Sequence, residues 1–147
     1  MITPAKNYDF YRSRHEERNS VRRTYEWTVP ALKRLGAFEG CSVLSVGCGS
    51  GIDILTLRCL GYEAWGTDGF PCAAKASDYF VMSNATTLPF QDESFDVVIA
   101  LEVIEHVEHD HGGFAGRRNL FCLELKRLAR HAILIATPNR LFPADET

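Results

Sequence analysis

Val43-Leu44-Ser45-Val46-Gly47-Cys48-Gly49-Ser50-Gly51 constrains this chain more than any other stretch, because an apolar run breaks there into three glycines at every second position. The apolar run reads as a strand buried on both faces. Glycines after it permit a turn tight enough to bring backbone N–H groups against a ligand, with no Cβ in the way. From about Ile52 to Leu60 the pattern becomes that of a helix, whose N-terminus presents free N–H groups and partial positive charge to the same place. Asp68 ends the next strand, about 20 residues on, where a carboxylate can accept both hydroxyls of a ribose. The spacing is G-x-G-x-G and not the dinucleotide form G-x-G-x-x-G. A plain tight connection between strand and helix would account for the glycines alone; the strand before, the helix after and Asp68 downstream point instead to a nucleotide-type site.

Strands and helices alternate along the rest of the chain. The spacing predicts a helical lead from about Ser13 to Leu35, with apolar positions at Val21, Tyr25, Val29, Leu32 and Leu35 and a kink or split at Pro30. Strands follow over 43–47, 63–67, 79–82, 95–101 and 131–137, with one short helical turn over 70–77 and a helix over 117–130. Phe121, Leu125 and Leu128 share one face of that last helix. Such alternation implies right-handed crossovers and a parallel sheet, hence an α/β, Rossmann-like three-layer sandwich of about five strands. Ligands of such sheets bind beyond the carboxyl ends of the strands. The glycine turn, Asp68, Asn84 and Glu102 all follow strands on that edge.

At 147 residues the chain fits one domain, a helical lead over 1–38 and a core over 39–140. A net charge of −3 gives no general argument for a nucleic-acid or membrane surface. No apolar run reaches the length of a membrane span, and the polar N-terminus carries no secretory pattern. Five cysteines, odd in number and without C-x-x-C spacing, read as reduced thiols of a cytoplasmic protein.

VLSVGCGSG, then GTD, then NATTLPFQDESFDVVIALEVIEHV, together resemble a class I S-adenosylmethionine-dependent methyltransferase. The LPFxDxSFDVV and EVIEHV segments are similar to the group of quinone-biosynthesis and other small-molecule methyltransferases. The resemblance covers roughly residues 36–140. It implies that Gly47, Cys48, Gly49 and Gly51 lie under the methionine and ribose of the cofactor. It further implies that Asp68, with Gly69 beside it, holds the ribose hydroxyls, that Asn84 with Ala85 meets the adenine, and that Leu101 and Glu102 close the pocket. No phosphate-binding G-x-x-x-x-G-K-[ST] is present, which argues against a P-loop enzyme.

Three departures accompany the resemblance. Ser45 stands where the family usually has an acidic residue, and Asn84 where it usually has Asp, so both predict weaker cofactor binding. The family also continues past Thr137-Pro138-Asn139-Arg140 with two more strands, whereas this sequence ends at Thr147. Without them the fifth-strand side is an edge that must be covered, and a homodimer or another chain would cover it.

Glu102, Glu105 and His106, followed by His109, Asp110 and His111, form a second chemical cluster. Carboxylates three apart on a helical turn, together with an imidazole, suit a divalent cation. That pattern, with the later TPN, resembles metal-dependent small-RNA 2′-O-methyltransferases, but their further histidine has no counterpart after His131. His106 and Glu102 are the catalytic candidates, His106 as a general base or, equally, as a residue that pins the loop by hydrogen bonds. Tyr8, Tyr11 and Arg12 suit a lid or, equally, plain surface packing, Trp27 and Trp65 core or half-buried anchors, and Arg22-Arg23 a solvated helix face.

The resulting expectation is an enzyme that binds S-adenosylmethionine and methylates a small-molecule acceptor, with no metal, nucleic acid or membrane as partner. Two alternatives stand beside it: a metal-dependent RNA 2′-O-methyltransferase, and a shortened methyltransferase fold that binds without catalysing. The acceptor and its reacting atom are not readable from the sequence.

Overall fold

The computed structural model of the protein describes residues 18–70, 78–107 and 116–137. The expected lid of Tyr8, Tyr11 and Arg12, the turn over 71–77, the His109-Asp110-His111 stretch and residues 138–140 lie outside them. Five parallel strands form one sheet in the order β3-β2-β1-β4-β5: β1 Ser42–Val46, β2 Glu63–Asp68, β3 Phe80–Met82, β4 Phe95–Leu101 and β5 Ala129–Ala136. The helices are α1 Val29–Arg34, α2 Ile52–Cys59 and α3 Arg117–Leu128, with a π-helical turn at Thr24–Thr28 ahead of α1. This is the expected α/β architecture, with the boundaries of the five strands and of α2 and α3 within two residues of their sequence reading.

Strand periodicity builds the core. Val43 on β1 with Val97 and Ile99 on β4 face one layer, packed against Leu32 of α1 and Ile54 and Leu57 of α2. Their neighbours Leu44, Val46, Val98 and Ala100 face the other layer, against Phe121, Leu125 and Leu128 of α3. Strands covered on both faces need apolar residues at successive positions, which is why the sequence shows continuous runs there. β1 is central, pairing with β2 from Ser42↔Glu63 to Val46↔Thr67 and with β4 from Val43↔Val97 to Ser45↔Ile99. β5 pairs with β4 alone among the described strands and forms the sheet edge, as expected.

The helical lead departs from its sequence reading. Thr24, Thr28 and Leu32 are its buried residues, whereas Val21, Tyr25 and Leu35 are exposed. The cause is the π-turn, in which the Val29 N–H donates to Thr24 O, five residues back. Pro30 has no N–H to continue the ordinary ladder, and the widened turn before it rotates the face that reaches the sheet. Trp27 is likewise no anchor: it is 71% exposed. Trp65 is 37% exposed and meets Tyr79 edge to face, so half-buried describes it.

The LPFQDESFD segment owes much of its character to Arg127. The guanidinium donates to Leu88 O at 3.0 Å, Phe90 O at 2.7 Å and Asp92 Oδ1 at 2.8 Å, and grips Glu124 through both carboxylate oxygens at 2.8 Å. Glu124 in turn accepts from the Leu88 N–H at 2.8 Å, and these donors hold its carboxyl below the usual range. A planar fork that satisfies two backbone carbonyls and two acids cannot be replaced by an apolar side chain of similar size. Arg127→Met should therefore lower stability by about 2 kcal/mol, with carbonyls and a carboxylate left unpaired. The shift in the urea midpoint of unfolding, at unchanged m-value, measures it.

Candidate functional site

The site begins where β1 ends. Gly47 N–H donates to Thr67 O at 2.8 Å and Cys48 N–H to the same oxygen at 3.1 Å, so the turn is tied to the last residues of β2. Gly47 has φ +71°, a region that side chains rarely adopt, and a Cβ there would lie 2.4 Å from Val103 Cγ2. The loop after β4 thus packs directly on the backbone of the turn after β1, which requires glycine. Gly49 and Gly51 share the left-handed conformation, with Gly51 opening α2.

Asp68 is anchored from two sides. Its Oδ2 accepts from Gly49 N–H at 2.9 Å and its Oδ1 from Phe70 N–H at 3.0 Å. Each oxygen keeps a further lone pair for an incoming hydroxyl. Beside it, Thr67 and Ser83 hydroxyls hydrogen-bond one another, linking β2 to the residues after β3. Asn84 Oδ1 accepts from both the N–H and the hydroxyl of Thr86, each at 2.9 Å, a local turn that leaves the side-chain amide as donor.

These groups surround a cavity of about 640 Å³ at the strand ends, a size typical of small-molecule sites. Gly47, Asp68, Gly69, Asn84, Ala85, Glu102 and His106 of the expected set line it, joined by Phe70, Met82, Ser83 and Val103, which sequence reasoning missed. Leu101 instead lines a second cavity of about 720 Å³ with Arg22, Arg23, Trp27, Leu134 and Ala136, and Glu102 lines both. Cys48 faces a third, of about 50 Å³, with Ser45, Gly47, Asp53 and Arg23.

Glu102 stands at the junction with φ +57°, an uncommon conformation for a residue with a side chain. Its N–H donates to Ala136 O at 2.8 Å, and its carboxylate meets Arg23 at 3.0 Å in an ion pair about half exposed on both sides. Strain of this kind gathers at functional positions. Glu105 and His106 diverge from it: the Glu105 carboxylate oxygens are sealed from solvent, while His106 is exposed. Among the described residues no group of three His, Cys, Asp or Glu side chains is placed to hold a metal. The geometry therefore gives no support to a cation at Glu102, Glu105 and His106.

Ser45 and Asp53 form the one buried polar pair behind the turn among the described residues. Ser45 Oγ donates to Asp53 Oδ2 at 2.5 Å, while Asp53 Oδ1 is closed to solvent and lacks a well-formed hydrogen bond. The N–H groups of Asp53 and Ile54 in the first turn of α2 face the carboxylate and favour its charge, as does Arg23, but burial outweighs them and raises the carboxyl pKa. Sequence reasoning passed over Asp53 as an ordinary acidic residue in a first helical turn, and only the fold reveals where its oxygens point. A carboxyl that holds its proton more tightly when folded contributes stability at low pH, and that contribution is lost as pH rises above the unfolded value of about 4. Asp53→Asn should melt a few degrees above the parent chain at pH 7, and thermal melts should show the gap closing toward pH 4.

Residues 44–131 match a family model described as a methyltransferase domain. A ubiquinone biosynthesis O-methyltransferase of Rhodopseudomonas palustris (strain HaA2) is 32% identical over 119 residues, covering 74% of this chain and 44% of the relative. The chain thus spans less than half the length of that curated relative. A solved structure concerned with the conversion of a disulfide bond into a thioacetal group during echinomycin biosynthesis is 31% identical, with TM-score 0.55, covering 71% of this chain and 45% of the other. The fold is shared with a TehB-like SAM-dependent methyltransferase from Corynebacterium glutamicum (TM-score 0.61, 17% identity, 90% of this chain and 73% of that one).

Proposed function

The protein belongs to the methyltransferase domain family, and on that premise we propose that it binds S-adenosylmethionine and passes the methyl group to a small molecule. The observation that carries this reading is the clasp of Asp68 on Gly49, set in the 640 Å³ cavity below a turn whose glycines are all left-handed. The residues present fit the cofactor. Asp68 offers two pinned oxygens to the ribose diol, and Gly49, beside it, has open space where a Cβ would stand. Met82, Val103 and Val107 give apolar walls, and the Asn84 amide is a donor suited to a ring nitrogen of adenine.

When bound, S-adenosylmethionine supplies a methyl group on an electron-poor sulfonium. The chain's own residues contribute placement. Methyl transfer to a good nucleophile gains most from holding the reacting atoms in line, worth several orders of magnitude as effective concentration. The second cavity supplies the acceptor's place: Trp27, Leu134 and Ala136 give apolar surface, and Arg22, Arg23 and Glu26 a charged rim. Glu102 borders both cavities, so it is the catalytic candidate best placed to touch a nucleophile, with His106 on the cofactor side. The ubiquinone-biosynthesis relative favours oxygen as the methylated atom. No helix of the described residues is long and apolar enough to cross a membrane, and we propose a cytoplasmic enzyme. The β5 edge, with Ile135 exposed, is where a second copy would pair.

Calorimetric titration with S-adenosylmethionine and S-adenosylhomocysteine tests the cofactor reading. The intact chain should bind both, and Asp68→Ala should weaken each by about tenfold or more, the worth of hydrogen bonds to a charged acceptor. An intact chain that binds neither ligand, or binding indifferent to Asp68→Ala, would overturn it.

A further inference from the structure

Behind the glycine turn lies a buried carboxyl, Asp53, with no ion pair at contact distance among the described residues. Asp53 Oδ1 has no accessible surface to speak of and no well-formed hydrogen bond, while Oδ2 accepts from Ser45. Arg23, whose charge favours the ionised Asp53, is itself bonded to Glu102 Oε2 at 3.0 Å. Between them lies the cavity of about 50 Å³, enough for one small polar group and its hydrogen bonds. Gly47 lines both this cavity and the large one that holds Asp68, so the two meet across the backbone of the turn.

A buried acid beside a small polar cavity suits a compact, strongly hydrated cation with several donors, and a primary ammonium is that group. S-adenosylmethionine carries one, at the opposite end from the ribose that Asp68 would hold. We infer that Asp53, braced by Ser45, receives the α-ammonium of the cofactor's amino-acid end, and so sets the direction in which the ligand lies across Gly47. Resting on the cofactor reading above, this assigns to α2 a charge that β1 does not provide: Ser45 is the brace and Asp53 the acceptor. Arg23 lines the same cavity from the helical lead, with its guanidinium ion-paired to Glu102.

Two ligands separate this role from general support of the fold. S-adenosylhomocysteine carries the amino-acid end; 5′-methylthioadenosine keeps the adenosine and the sulfur but lacks it. Asp53→Asn preserves shape and the bond from Ser45 while removing the charge. It should weaken S-adenosylhomocysteine about tenfold or more and leave 5′-methylthioadenosine within about twofold, because charge-assisted hydrogen bonds are the strong ones. The double change Ser45→Asp with Asp53→Asn returns a carboxylate to the cavity wall and should recover binding of S-adenosylhomocysteine. Equal losses for both ligands, or no loss for either, would overturn the assignment to Asp53 while leaving the cofactor reading intact. An intact chain that binds neither ligand would instead remove the cofactor reading and this inference with it.

Discussion

The position of β1 between β2 and β4 is the constraint from which the site follows. Ser45 lies opposite Gly66 on one side and Ile99 on the other, so the three strands end nearly level. Parallel pairing sends all their carboxyl ends to one edge, and the connections must then cross the faces as helices. Thr67 O, at the end of β2, accepts from two consecutive N–H groups of the turn after β1. Val103, beyond the end of β4, presses on Gly47 of the same turn. The turn is thus shaped by both neighbours at once, and Asp68 and Glu102 emerge on either side of it. Register supplies most of the positioning, and local hydrogen bonds such as those on Asp68 and Asn84 complete it.

Register also explains which parts of the site were legible in the sequence. Gly47, Asp68 and Asn84 each stand at, or within two residues of, the carboxyl end of a strand, so identifying the strands placed them. Asp53, Arg23 and Trp27 sit on helices, where the face presented depends on the helix's rotation. In the lead that rotation is altered by the π-turn before Pro30, and the pattern of Val21, Tyr25 and Leu35 pointed to the wrong face. Spacing reports ordinary helical periodicity; it does not report where one turn widens. Asn84 shows a subtler limit, since its position was legible but the capture of its carbonyl by Thr86 was not.

Motif and mechanism separate in the segment over 88–97. A string such as LPFQDESFD invites a catalytic interpretation because its acids are prominent. In the fold, Asp92 binds Arg127, while Asp96 accepts from the Ser42 N–H and hydroxyl and from Arg130, which hold its carboxyl low. Both lie at the amino ends of the strands or on α3's side, far along the sheet from the glycine turn. Their work is to join β1, β4 and α3 at the end opposite the cavity. A family pattern can therefore be specific and still be largely architectural.

Asp53 is the reverse case, a residue with no motif whose cost to the fold calls for a reason. Its carboxyl is pushed up by burial despite a serine hydroxyl, two helix N–H groups and a nearby arginine. Depressed acids such as Asp96 and Glu124 gain from being folded; Asp53 loses by it. An apolar residue would fill the space behind Ser45 at less expense, so stability alone does not account for an acid there. The small cavity that Asp53 lines with Ser45 and Gly47 has room for the partner proposed above, one small, polar and positive group. On the proposed reading, that requirement and the glycine turn give one ligand orientation, with the ribose at Asp68 and the cationic end across Gly47. Under the same proposal the strain at Glu102 and the penalty at Asp53 belong to one arrangement, a site left electrostatically incomplete by folding and completed by what it binds.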